Sequence, residues 1–88
     1  MLDLNELEQL IAFADMGTLS LVASRFHISQ PTITRTMQRL EESFGVPLFV
    51  RGKNKIALND TGKQAVEQAR RLLSTAEDVL HKVREFDK

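Results

Sequence analysis

HISQPTITRTMQRLEESFG, residues 27 to 45, decides how this chain is read. Ser29 is a preferred helix N-cap, and Pro31 falls in the first turn, where its missing N–H leaves no bond unmade. Gly45 supplies the stop. At 100° per residue, Ile33, Met37, Leu40 and Phe44 share one narrow face. Pro31, Arg35 and Gln38 lie opposite, with Thr32 and Thr34 on the flanks. The helix packs one stripe and displays a face of short or planar hydrogen-bonding side chains.

On the N-terminal side, Leu4, Leu7, Leu10, Ile11 and Ala14 recur at helical spacing, which predicts an amphipathic helix over 4–16 ended by Gly17. Thr18 or Ser20 caps a short second helix, about 19–26, built on Leu21, Val22, Ala23 and Phe26. After Gly45, the runs Leu48-Phe49-Val50 and Ile56-Ala57-Leu58 read as two short strands joined by Gly52 to Asn54. Asn59 then caps a long last helix from about Asp60 to about Phe86, roughly 40 Å at 1.5 Å per residue.

That last helix carries a second pattern. Val66, Ala69, Leu73, Ala76, Leu80 and Val83 step by three and four, a heptad seam, and Leu72, Val79 and Phe86 add a line beside it. A body this small cannot cover both lines. The expected partner is another copy of the chain, through Val66, Ala69, Leu72, Leu73, Ala76, Val79, Leu80 and Val83. The alternative is that the helix folds back on its own domain.

The 88 residues suit one small domain with an appendage: 1–59 as the body and 60–88 as the long helix. The chain has no cysteine, so no disulfide and no thiolate metal site. Its two histidines, His27 and His81, are far apart, and no cofactor is expected. No apolar run reaches membrane-spanning length and the start, MLDLNELEQ, is acidic, so the expectation is a cytoplasmic protein with neither signal peptide nor membrane partner. The formal net charge is zero, but its distribution is uneven. Residues 1–16 carry Asp3, Glu6, Glu8 and Asp15 and no base. Residues 17–56 carry Arg25, Arg35, Arg39, Arg51, Lys53 and Lys55 against Glu41 and Glu42. The basic patch matters more than the sum.

Helix, short turn, helix and basic hairpin make the order of a winged helix-turn-helix, a mainly α fold whose second motif helix enters the DNA major groove. Its displayed face suits that role. Arg pairs with guanine, Gln with adenine, and Thr offers a hydroxyl and a methyl to thymine. Arg35 is the leading candidate for a base edge, or else a phosphate, with a solvated charge as the remaining alternative. Thr32, Thr34 and Gln38 are candidates for base or backbone contact, Thr34 with a purely structural role as the alternative, and Ser29 is mainly a cap. Thr18 and Ser20 either cap the second helix or also hold a phosphate. Arg51 and Lys53 are wing cations for phosphate or minor groove, while Lys55 is as readily a solvated charge. Arg39 is expected beside the displayed face but further from the groove, and Arg25 to pair with an acid of the first helix. Glu41 is expected to make an internal polar contact.

The stretch from Leu7 to Gly62 resembles the N-terminal domain of LysR-type transcriptional regulators. The matching pieces are Phe13, the Ala23 helix, Ser29-Gln30-Pro31, Leu40-Glu41, Phe44-Gly45, Leu48-Phe49, Arg51 and the Leu58 to Gly62 entry into the last helix. The likeness covers roughly 4–65, and the last helix is similar to the family's linker helix. Val22-Ala23 stands where two alanines are usual, Thr34 where serine is common, and Asn59 where threonine is usual; each keeps size or capping ability. The resemblance implies that Gln30 and Pro31 open the reading helix, Gln30 donating to a base or a phosphate and Pro31 touching a thymine methyl, with helix capping alone as the alternative for both. It implies too that dimers, with tetramers for a full-length parent, bind interrupted palindromes through antiparallel linker helices. It also implies a longer parent whose C-terminal domain, absent here, binds a small-molecule effector. A winged-helix module for protein docking would share the fold, but its surface would show exposed aromatics or leucines where this one shows Thr, Gln, Arg and Lys. No nucleophile with a base, paired carboxylates or glycine-rich phosphate loop supports an enzyme.

Overall fold

Capping sets nearly every boundary in the computed structural model, which describes all residues from Met1 to Lys88. The Asp3 carboxylate accepts the Asn5 and Glu6 amides and starts α1, Leu4–Met16. Gly17, at φ 90°, ends it, a backbone that a side chain would strain. Thr18 accepts the Leu21 amide at 3.2 Å and opens α2, Leu19–Phe26. His27 closes that helix at φ 56°, and its N–H returns to Ala23 and Ser24. Ser29 then caps α3, Gln30–Phe44, with Pro31 in the first turn and Gly45 at the end.

β1, Phe49–Gly52, pairs antiparallel with β2, Lys55–Leu58, in the register Phe49 to Leu58 and Gly52 to Lys55. The connection is two residues, Lys53 and Asn54, one shorter than expected, because Gly52 is still in the ladder. Asn54 takes φ 56°, which asparagine tolerates better than most side chains. Asn59 caps α4, Asp60–Phe86, with its side chain accepting the Gly62 amide at 2.7 Å.

The core lies where α1, α2, α3 and the start of α4 meet. Leu7, Leu10, Val22, Ile33, Met37, Leu40 and Leu48 are its most enclosed members. Phe13 meets Phe49 edge-on, with ring centroids 5.7 Å apart, and ties the wing to α1. Ala14, expected on the apolar face of α1, is exposed. Gln9 is buried instead, its carboxamide oxygen without a hydrogen-bond partner. Phe44 is only half-buried, since α3 ends at the rim.

α4 divides into two parts. Ala65, Val66 and Ala69 are buried in the domain's own core. This corrects the expected assignment of Val66 and Ala69 to a dimer seam: a heptad pattern does not say what covers it, and α1 covers these two turns. Leu73 and Ala76 are half-buried, and Leu72, Val79, Leu80, Val83 and Phe86 are exposed. The helix runs on beyond the body, giving a molecule 55 Å long and 21 Å thick.

Gly62 fixes the angle at which α4 leaves the wing. A Cβ there would collide with the Leu48 carbonyl and come within 2.9 Å of the Leu58 side chain. With only hydrogen at that position, the Leu48 carbonyl approaches closely enough to accept the Asn59 amide at 2.9 Å. The Asn59 side chain also donates to the Pro47 carbonyl at 3.2 Å.

Candidate nucleic-acid interface

The displayed face of α3 is built as its spacing requires. Ile33, Met37 and Leu40 are buried against α1 and α2, so Gln30, Pro31, Arg35 and Gln38 are left in solvent. Thr32 and Thr34 sit half-buried on the flanks.

Hydrogen bonds run along this face. The Ser29 hydroxyl accepts the Thr32 amide at 3.3 Å and shares a hydrogen bond of 2.8 Å with the Thr32 hydroxyl. Arg35 donates through Nη2 to the same Thr32 oxygen at 3.3 Å. Ser29, Thr32 and Arg35 thus form one connected row, and the Arg35 guanidinium keeps its remaining donors free. Thr36 belongs elsewhere: it is buried and its hydroxyl donates to the Thr32 carbonyl at 3.2 Å.

Arg39 is tied down. Its Nε donates to Glu6 at 2.9 Å, and its Nη2 to the Thr36 hydroxyl at 3.2 Å. The expected ion pair between Arg25 and an acid of α1 does not form; Arg39 takes that place, because α3, not the end of α2, faces Glu6.

The wing cations differ from one another. Glu41, on the last turns of α3, accepts the Leu48 amide at 2.8 Å and Arg51 Nη2 at 3.1 Å. This is its expected internal contact. Arg51 also lies over the Phe49 ring, 5.9 Å from its centroid, so its guanidinium is positioned rather than free. Lys53 and Lys55 are exposed and form no ion pair.

An open groove of about 850 Å³ joins three elements. Thr18 and Ser20 line it from the start of α2, Gln30 from the start of α3, and Arg51, Asn54 and Lys55 from the wing. The Thr18 oxygen already accepts the Leu21 amide, but its hydroxyl proton stays available, and Ser20 is exposed. Three parts of the chain therefore bring hydroxyls, two carboxamides and two cations to one concavity, the arrangement that holds an anionic backbone. Lys53, singled out on charge, sits at the turn and does not line it, whereas Lys55 does. The two-residue turn pairs Lys55 with Gly52, which also lines the groove, and the three-residue connection expected from the sequence hid that placement. Asn54 was missed because it was read only as part of the turn. No group of His, Asp or Glu is arranged to hold a metal ion, and no helix is long and apolar enough to cross a membrane.

The chain resembles known proteins in this form. The family model of the bacterial regulatory helix-turn-helix proteins of the lysR family matches residues 4–63. The transcriptional regulator ClcR of Pseudomonas putida is 42% identical over 76 residues, which are 86% of this chain and 26% of that protein. TcbR of Pseudomonas sp. strain P51 is 41% identical over 75 residues, 85% of this chain and 26% of its own length. The chain thus spans about a quarter of these relatives, both of them transcriptional regulators. Among solved structures, the CbnR_DBD–DNA complex superimposes with a TM-score of 0.92 at 37% identity, covering 99% of this chain and 100% of that one. CbnR, a LysR family transcriptional regulator, gives 0.84 at 38% identity over 94% of this chain and 29% of its own. Four helices and a two-stranded wing, with a family match over most of the chain, make it a member of the LysR family of bacterial regulatory helix-turn-helix proteins.

Proposed function

We infer that this chain binds double-stranded DNA sequence-specifically, as a dimer, for a regulator of transcription in the cytoplasm. Residues 1–59 are the reading body and 60–88 the linker helix through which two copies pair. α3 enters the major groove, where Arg35, Gln38, Thr32 and Thr34 face base edges and Gln30 and Pro31 meet the groove wall. Thr18, Ser20, Arg51 and Lys55 hold phosphates from the lined groove, and Lys53 reaches the backbone or minor groove at the wing tip. Ser29 acts through its cap.

The observation that carries this reading is the Ser29, Thr32 and Arg35 row on the free face of α3. It stands beside a groove that gathers hydroxyls and cations from α2 and the wing. The likeness to a protein crystallised with DNA supports it. In a longer parent, a small-molecule effector would act through a domain beyond α4 and shift the geometry of the pair, and tetramers would join two such pairs.

Selection from random duplexes at two salt concentrations tests the reading. An enriched interrupted palindrome is the expected result, its spacer giving the distance between two α3 helices. Retention without enrichment would leave only electrostatic binding, and no retention at low salt would refute DNA binding.

A further inference from the structure

The stretch TITRTMQR, residues 32 to 39, holds one pair twice. A threonine precedes an arginine by three residues, Thr32 before Arg35 and Thr36 before Arg39, and the second pair lies one turn further along α3. Residues three apart are neighbours on a helix surface, so each hydroxyl is within reach of its guanidinium. The two bonds match. Arg35 Nη2 donates to the Thr32 hydroxyl at 3.3 Å, and Arg39 Nη2 donates to the Thr36 hydroxyl at 3.2 Å.

The copies differ in what the guanidinium holds next. Arg39 turns its Nε to the Glu6 carboxylate at 2.9 Å, so an arginine held by its threonine is met by an acceptor. Arg35 bonds to Thr32 alone and has no ion-pair partner in the chain. Its acceptor has to come from outside.

The Thr32 oxygen is itself fixed. It lies 2.8 Å from Ser29 Oγ, which also accepts the Thr32 amide. Thr32 is half-buried while Arg35 is in solvent, so the better-ordered side chain holds the freer one. A long side chain loses rotamer freedom when a ligand fixes it, and one already held loses less. What Arg35 then presents is donors only, since a guanidinium has no acceptor. Guanine sets two adjacent acceptors, O6 and N7, on its major-groove edge. Adenine and cytosine each place an amino group there, and thymine a single acceptor beside a methyl.

We propose that Thr32 is a positioning residue that holds Arg35 for a guanine, so that preference at that base pair belongs to the two side chains together. The inference rests on the reading of α3 as the groove helix and deepens it by naming the base and the residue that orders its reader. Thr32 acts here through Arg35, as Thr36 acts through Arg39 on Glu6.

Thr32→Val keeps the branched shape and removes the oxygen, and its amide still meets the Ser29 cap. Thr32→Ser keeps the oxygen. These two, Arg35→Ala and the double variant Thr32→Val with Arg35→Ala are titrated against the selected duplex and against duplexes with each guanine of the half-site replaced in turn. Circular dichroism confirms the fold of each. Arg35→Ala is expected to lose preference at one guanine. Thr32→Val should weaken preference at that same guanine roughly two- to tenfold, the effect of releasing one long side chain. It should leave the salt slope unchanged, because no charge is removed, and add nothing to Arg35→Ala in the double variant. Thr32→Ser should keep the parent's preference. Full preference in Thr32→Val beside a defective Arg35→Ala would overturn the positioning and leave α3 in the groove. A loss at a different base pair would make Thr32 a reader in its own right, and an equal loss in Thr32→Ser would trace the effect to packing; either overturns the proposal. A uniform loss with a shallower salt slope in Arg35→Ala would put Arg35 on a phosphate and overturn the guanine. Parent behaviour in Arg35→Ala would overturn the reading of α3 as well.

Discussion

Glu41 and Arg51 sit 3.1 Å apart, and the same carboxylate accepts the Leu48 amide at 2.8 Å. One side chain at the end of α3 therefore holds both the entry to the wing and its first cation. The two bonds differ in weight. The ion pair is half-exposed and worth little for stability, about 0–1 kcal/mol. The bond to the Leu48 amide is enclosed, and losing it strands a buried donor.

Glu41→Ala should therefore lower stability by about 1–3 kcal/mol in urea unfolding. Arg51→Ala should cost less than about 1 kcal/mol yet weaken DNA binding. Equal stability losses in the two variants would show that the ion pair, not the amide bond, secures the wing.

Gly62→Ala should cost at least about 2 kcal/mol, because the new methyl meets the Leu48 carbonyl, and backbone yields little. Gly52→Ala, with nothing within 4 Å of the added carbon, should stay within about 0.5 kcal/mol of the parent. Thermal unfolding of the pair checks this, and an unaffected Gly62→Ala would mean that α4 leaves the wing at another angle.

Much of this was legible in the sequence, for a physical reason. Caps are local: Ser29, Thr18, Gly17, Gly45 and Asn59 act within four residues of themselves, so the helix limits could be read directly. What depends on packing between distant segments was not. Arg39 rather than Arg25 meets Glu6 because of how α1 crosses α3, a contact 33 residues apart in sequence. Val66 and Ala69 continue the heptad seam, but the body claims them. Gly62 was noticed as part of a motif, yet its reason, a carbonyl from Leu48, exists only once the wing is in place.

The cations should separate by salt dependence. Lys53→Ala and Lys55→Ala should each weaken all duplexes alike and reduce the slope of log affinity against log salt by about one. Arg39→Ala should leave that slope unchanged, since Arg39 is held by Glu6 and Thr36. A slope that fell equally in all three would mean that Arg39 exchanges its partners for phosphate on binding.

Leu80→Glu combined with Val83→Glu should give folded monomers that bind a half-site weakly. Both residues are more than half exposed, so the fold should survive. Sedimentation and circular dichroism read the two effects separately, and a dimer persisting in this variant would exclude the free stripe of α4 as the interface.

The most direct test of the account is Arg35→Ala measured against the selected duplex and its single-base variants. If α3 reads the groove, the substitution weakens binding by about 1–3 kcal/mol and relaxes preference at one position in each half-site. Unchanged affinity and unchanged preference would place α3 outside the major groove and contradict the proposed function.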